Sequence, residues 1–284
     1  MNLKEKLKQN KFLITAELFP PKGTDISSFL KRAQSLKNLD AVNVTDNQRA
    51  SMRAGSLAMC SILLKEGIEP VLQLTARDRN RIALQTELLS ANILGIENVL
   101  IISGDHPKSG EYPNAKTVYD LDTVQLIKTA RLLETGFDLA GKKLNGSPKF
   151  CIGAVVNPSA NPQDLQALMF KKKVLAGAEF FQTQTIFDIK KYKDFFEKIK
   201  QPDIKVLAGI TLLKSPKFMS FLQKLPGVEI PVEIQERINS CSDPLSESIK
   251  ICRESIKELK KFADGVHIMA IGMEEYIPEI LKNI

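Results

Sequence analysis

One repeated unit constrains this chain more than any other feature: a short apolar, β-branched run, a polar break, then a stretch with helical spacing. The runs are FLITAELF (12–19), AVNVTD (41–46), PVLQLTAR (70–77), NVLIISGD (98–105), FCIGAVVNP (150–158), FFQTQTIFD (180–188), KVLAGITLL (205–213) and GVHIMAIG (265–272). Helical stripes lie between them. Tyr192, Phe195, Phe196 and Ile199 recur at i, i+3, i+4 and i+7, and Phe218, Phe221, Leu222 and Leu225 repeat the pattern. Ile249, Cys252, Ile256 and Leu259 form a third stripe. Near-continuous apolar strands need burial on both faces, the condition of a parallel sheet under helices. Eight such strands alternating with helices predict an α/β fold, a single (β/α)8 TIM barrel with residues 1–284 as one domain. An open doubly wound sheet seldom needs eight units, and no GxGxxG follows the first run. Two connections are long: HPKSGEYPNAKTVY (106–119) and PGVEIPVEIQERINSCSD (226–243). Long loops after barrel strands are where such folds place their chemistry.

Composition excludes several classes. With 43% hydrophobic and 26% charged residues the chain is neither disordered nor fibrous, and its apolar runs are strand-sized, too short to span a bilayer. No apolar signal-like stretch follows the charged first turn, so a cytoplasmic protein is expected, with no membrane partner. The 40 Lys and Arg exceed the 33 Asp and Glu by +7, but they are scattered, and the tightest run is only Lys171-Lys172-Lys173. Nucleic-acid binding would need a longer basic stripe interleaved with aromatics. A mild positive excess instead suits small anionic ligands. Cys60, Cys151, Cys241 and Cys252 include no CxxC pair and have no His at ligand spacing, so neither a metal site nor a disulfide framework is expected.

In a barrel, polar residues at the carboxyl ends of otherwise apolar strands mark the place to look for chemistry. Glu17 interrupts ITAELFPP and by alternation shares a side with Leu13 and Thr15. A carboxyl there is either a partly desolvated acid or the partner of a nearby cation. Thr45 and Asp46 close the second strand, Asp105 the fourth, and Gln184 lies in the polar FQTQTIFD. Each has a structural alternative: Thr45 and Asp46 as caps of the next helix, Asp105 as the holder of a turn before Pro107. His267, inside the eighth strand, reads as a core histidine, and Cys252 as a packed core residue.

The ordered set TAELFPPKGTD, VNVTDN, LTARDRNR, IISGD, LAGAEFFQTQTIFD, SPKF and VEIP resembles the methylenetetrahydrofolate reductase family from about residue 11 to the end. The resemblance implies a flavin-dependent barrel that reduces 5,10-methylenetetrahydrofolate to 5-methyltetrahydrofolate. By it, Glu17 matches the catalytic acid and Asp105 the carboxylate near flavin and pterin. Gln184 matches the glutamine that orients the folate ring, and Phe218 an aromatic that stacks on substrate. Thr45 matches a flavin-contacting threonine, and Asn157 and Lys173 stand where relatives contact flavin or its phosphates, Asn157 in place of a His. Gln73 stands where the best-known bacterial members have His, and Ser103 where they have Arg. Together with Gly104 and His106 these lie at the cofactor side of the implied site. FAD is the implied cofactor, with FMN the alternative; between monomer and homo-oligomer the sequence leaves the assembly open. VTDNQRASMRAG is closer to a subgroup found with partner proteins than to stand-alone NADH enzymes. The electron donor thus stays open between NADH, NADPH, ferredoxin and a redox partner subunit. In the last case the chain would be the flavin- and folate-binding subunit of a complex.

Overall fold

Each of the eight apolar runs forms a strand. In the computed structural model, which describes residues 1–9, 11–225 and 227–284, the strands are β1 (Leu13–Leu18), β2 (Ala41–Val44), β3 (Pro70–Thr75), β4 (Asn98–Ile102), β5 (Cys151–Val156), β6 (Phe180–Thr185), β7 (Lys205–Thr211) and β8 (Gly265–Met269). They pair in parallel, each with its neighbour in sequence, and β8 closes on β1 to complete a (β/α)8 barrel. The runs overshoot the strands chiefly at their carboxyl ends, where the chain leaves the ladder to build loops.

Alternation divides each strand between two environments. Outward residues such as Leu18, Val44, Leu74, Ile101 and Ile210 join the helices in the main hydrophobic core. Inward residues Leu13, Val71, Leu100, Cys151, Phe180 and Leu207 form a separate cluster with Leu3 and Leu7. The last two belong to the short helix Leu3–Leu7, whose first residue donates its N–H to Glu69 Oε1 at 3.2 Å and whose Lys4 Nζ donates to the Phe150 carbonyl at 2.9 Å. Both partners stand just before a strand, so this helix plugs the amino end of the barrel. Gly153 keeps the interior closed: a Cβ there would fall 2.3 Å from the Phe180 ring.

Above that apolar plug the interior turns polar. Asn43 Nδ2 donates to Gln182 Oε1 at 2.8 Å and Gln182 Nε2 returns a bond to Asn43 Oδ1 at 3.1 Å, joining β2 to β6 across the barrel. His267 Nδ1 lies 2.9 Å from Thr15 Oγ1. Buried polar groups are tolerated only when paired, and these are. His267 is thus the core histidine expected, 3% exposed, and burial pushes its pKa from 6.5 down to about 3.

Two helical stripes face inward throughout, Tyr192–Ile199 and Ile249–Leu259, with Cys252 packed among the latter. The stripe at Phe218 does not. Its helix, Pro216–Leu222, buries Met219 and Leu222, leaves Phe218 and Phe221 half-buried and stops before exposed Leu225. The reason is position: the helix packs on a satellite cluster at the carboxyl end (Phe187, Leu213, Ile230, Ile238, Ile251), not on the barrel wall. The long connection 226–243 supplies part of that cluster through the helix Val232–Ser240, while its first residue, Pro226, lies outside the described residues. Among the described residues no helix is long and apolar enough to cross a membrane.

A histidine held neutral by burial opposes protonation, so its contribution to stability is complete above pH 6.5 and is lost as pH falls toward 3. In urea titrations, unfolding free energy should fall from about pH 6 to about pH 4 more steeply in the native chain than in His267→Gln, by up to ~1.4 kcal/mol per pH unit. Equal slopes would show that His267 protonates as easily folded as unfolded.

Candidate active site

Register places Glu17 at the mouth of the barrel. It pairs with Asn43 in the β1–β2 ladder, one inward step above Thr15, and is 6% exposed. Two side-chain amides hold its carboxyl. Gln73 Nε2, from β3, donates to Oε2 at 3.1 Å, and Gln48 Nε2, from the turn after β2, donates to Oε1 at 3.2 Å. Among the described residues no Lys or Arg forms an ion pair with it. Burial therefore dominates and raises its pKa from 4.5 to about 7; the two amides pull the other way, and the carboxylates of Glu274 and Asp105 add a smaller upward push. Of the two readings of a carboxyl on this strand, desolvated acid or salt-bridge partner, the geometry supports the first.

The loops after β2, β3 and β4 are tied into one rim. Asp46 does not cap the following helix, which starts at Ser56 behind Gly55. Its Oδ2 instead accepts from the Thr75 N–H and hydroxyl, both at 2.9 Å, and from Arg79 Nη1 at 2.7 Å. Arg77, only 1% exposed, grips Asp78 through Nε and Nη2 at 2.7 and 2.6 Å. It also donates to the carbonyls of Asp105 at 3.0 Å and Asn47 at 3.2 Å. Gly104, at φ +82°, lets β4 end against this guanidinium; a Cβ there would lie 3.1 Å from Arg77 Cβ and from Thr75 Cγ2. Asp105 does not serve the turn before Pro107. Its Oδ2 accepts the N–H of Arg49 at 2.9 Å. The side chain that does serve that turn is His106, whose Nδ1 accepts from Lys108 N–H at 3.2 Å. Ser103 is exposed, and the Thr45 hydroxyl is buried with no hydrogen-bond partner among the described residues.

The β5–β7 side completes the mouth. A register shift between Gln182 and Thr185 bulges β6 against β7 and leaves Gln184 exposed between two buried threonines. Asn157, just past β5, accepts the Ser159 N–H at 3.1 Å. Lys173 runs back under the strands: its ammonium donates to the Val155 carbonyl at 2.7 Å, and burial lowers its pKa. Phe218 and Phe221 stack with centroids 6.2 Å apart, Lys214 over the first ring at 5.1 Å and Arg49 over the second at 4.7 Å. Arg49 thereby spans the mouth from the β2 loop to the helix after β7.

A family model described as methylenetetrahydrofolate reductase matches residues 2–284. The chain belongs to the methylenetetrahydrofolate reductase family. Methylenetetrahydrofolate reductase 2 of Schizosaccharomyces pombe is 25% identical to it across the whole chain, and this chain spans 47% of that protein's length. A probable methylenetetrahydrofolate reductase (NADPH) of Caenorhabditis elegans is 24% identical over 94% of the chain, which spans 41% of its length. The 5,10-methylenetetrahydrofolate reductase of Escherichia coli is 25% identical over 83% of this chain and 76% of its own. Among solved structures, an uncharacterized protein from Clostridium thermocellum that binds two copies of 5-methyl-5,6,7,8-tetrahydrofolic acid shares the fold. Its TM-score is 0.70 at 16% identity, covering 98% of this chain and 96% of that one.

In this reductase-family barrel, Glu17, Gln73 and the Asp105 loop converge on one side of the mouth, with Gln184 and Phe218 facing them from the β6 and β7 ends. Lys173, on the helix Gln163–Ala176, engages the Val155 carbonyl of β5, and Asn157 the loop that follows that strand. Three residues that shape the site escaped the reading of the sequence: Gln48, Arg49 and Arg77. LTARDRNR and VTDNQRASMRAG carried the family resemblance, but neither singled out these three side chains, because nothing local reveals that an amide will reach a carboxyl 31 positions earlier in the chain.

A carboxyl whose folded pKa is raised contributes fully below its unfolded pKa of 4.5 and loses that contribution as pH rises through about 7. Glu17→Gln should therefore stabilise the fold by ~1–3 kcal/mol at about pH 8 and by nearly nothing at about pH 4. Chemical denaturation at the two pH values checks this. A variant less stable than the native chain at pH 8 would mean that the carboxyl is not strained by its burial.

Proposed function

We propose that this chain is a flavin-dependent reductase that converts 5,10-methylenetetrahydrofolate to 5-methyltetrahydrofolate, with residues 1–284 as one flavin- and folate-binding domain. It would serve cytoplasmic one-carbon metabolism and the supply of methyl groups for methionine. The observation that carries this reading is Glu17, a buried carboxyl at the mouth of a reductase-family barrel, held by two neutral amides with a pKa of about 7.

The substrate's five-membered ring opens when N10 gains a proton, which leaves an electrophilic iminium carbon ready to accept a hydride. A group that is protonated in an appreciable fraction near neutrality and free of a cationic partner is suited to give that proton. Asp105 lies across the rim, anchored through Arg49 N–H, where it can bind the pterin and bias charge at the reacting centre. Gln184 presents an exposed amide from the β6 bulge to orient the folate ring, and Phe218 offers a half-buried aromatic face on which the substrate stacks.

A bound flavin would supply the hydride. The residues fit such a group in one specific respect: the buried Thr45 hydroxyl has no partner among the described residues and would be satisfied by a polar ligand atom. Gln73, Ser103, Gly104 and His106 on the β3–β4 side, with Asn157 and Lys173 at β5, are the remaining residues proposed to hold FAD, or FMN in its place. The electron donor is left between NADH, NADPH, ferredoxin and a partner subunit, and the test below separates the nicotinamide nucleotides from a protein donor.

The decisive measurement is the absorbance spectrum of the purified chain under anaerobic mixing. A flavin band bleached by NAD(P)H and restored by methylenetetrahydrofolate is the expected outcome for a self-sufficient reductase. A band that only a chemical reductant or a reduced partner bleaches, but that the folate still restores, assigns the donor to another protein. Failure to hold flavin even after reconstitution with FAD and FMN overturns the proposal. Glu17→Gln should leave reduction by the donor intact and slow the folate half-reaction by ~10²–10⁴-fold. Equal loss in both half-reactions would remove the acid role.

A further inference from the structure

The turn after β2 adopts a conformation that its sequence does not favour. Asn47, Arg49 and Ala50 have φ of 47°, 57° and 50°, three non-glycine residues in the left-handed region within four positions. That region is unfavourable for L side chains, and such residues persist in it only where the surroundings over-determine them. Here they do. Arg77 holds the Asn47 carbonyl, and Asn47 Oδ1 accepts the Arg53 N–H at 3.1 Å. Gly110, from the loop after β4, presses on the Arg49 and Ala50 carbonyls so closely that a Cβ there would meet them at 2.4 and 2.6 Å. Arg49 is pinned at its N–H by Asp105 and at its guanidinium by the Phe221 ring.

What this conformation delivers is the Gln48 amide, placed 3.2 Å from Glu17 Oε1 while Gln73 takes Oε2. We infer that Gln48 is a positioning residue for the proposed reductase chemistry: the left-handed turn holds its amide on the Glu17 carboxyl while the adjacent Arg49 N–H holds Asp105, fixing the two carboxyls relative to each other. This rests on the reading of Glu17 as the proton donor. One dipeptide thereby touches both acidic groups of the site, one through a side chain and one through the backbone.

The chemistry of the contact sets its expected consequence. An amide N–H favours the ionised carboxyl, so Gln48 counteracts part of the effect of burial without introducing the positive charge that would keep Glu17 permanently ionised. The other ionisable groups around Glu17 are Asp105 on the β4 loop, Glu274 on the turn after β8, which Arg32 pairs at 3.2 Å, and, deeper in the barrel, neutral His267. None of them changes when Gln48 is replaced by an uncharged residue. A hydrogen bond to a charged group is worth enough to move a titration by about one pH unit.

The test uses the full chain carrying Gln48→Leu and, separately, Gln48→Met, each checked for native circular dichroism. Titration of Glu17 is followed by its carboxyl infrared band, assigned by difference against Glu17→Gln. Loss of the amide should move the midpoint upward by about one pH unit in both variants. The basic limb of the pH–rate profile for folate reduction should move with it, and kcat should fall more than KM rises. An unchanged midpoint in folded Gln48→Leu and Gln48→Met overturns the inference. A midpoint that moves while the pH–rate profile stays fixed leaves Gln48 as the residue that positions Glu17 and removes Glu17 as the acid.

Discussion

A carboxyl buried without a cation is the constraint on which the upper half of this barrel depends. Glu17 is 6% exposed, and ionising it in that environment would be costly if nothing but apolar side chains surrounded it. Pairing it with Lys or Arg would remove the cost and also its capacity to hold a proton near neutrality. Two neutral amides provide an intermediate solution: they satisfy both oxygens yet leave burial as the dominant influence, so the carboxyl titrates at about 7. The price of that choice appears elsewhere, in a strained turn and a set of loops locked together to carry Gln48.

That locking is done by charges that never reach Glu17. Arg77 bonds to carbonyls of both the β2 and β4 loops, and Asp46 joins the end of β3 to Arg79. Both are nearly inaccessible to solvent, where an unpaired ion would be strongly destabilising, so each bond is obligatory and the loops cannot drift independently. The mouth is held open on one side by this ionic rim and on the other by the satellite cluster beneath Phe218 and Phe221. Beneath both, the Asn43–Gln182 exchange and the Thr15–His267 contact make the middle of the barrel a paired polar layer between the apolar plug and the site.

Several candidate residues were legible because their signals were local. A Glu in ITAELFPP and an Asp ending IISGD are anomalies in apolar strands, visible without any knowledge of neighbours. Gln184 stood out in a strand with too many polar residues, and the β6 bulge explains its exposure. Lys173 illustrates the opposite situation. In sequence it ends a solvated-looking lysine run, but helix Gln163–Ala176 turns this one lysine inward onto a strand carbonyl and leaves Lys171 exposed. Phe218 read as part of a core stripe and is half-buried at the mouth, because its helix lies over the end of the barrel instead of along its wall.

The sequence alone determined the barrel. Strand burial and helix amphipathicity are periodic properties of short segments, so eight apolar runs and their helical partners could be counted directly, and right-handed parallel connection leaves few other arrangements. The family was carried in the same way, by short local motifs, most of them at strand ends and two, SPKF and VEIP, in the connection after β7. Only the tertiary structure decided how Glu17 is held. Its partners come from 31 and 56 residues away, and the conformation that brings Gln48 to it is enforced by Arg77, Asp105 and Gly110 against the local preference of the chain. Proton affinity depends on the sum of burial, dipoles and charges in three dimensions, a quantity that no stretch of sequence contains.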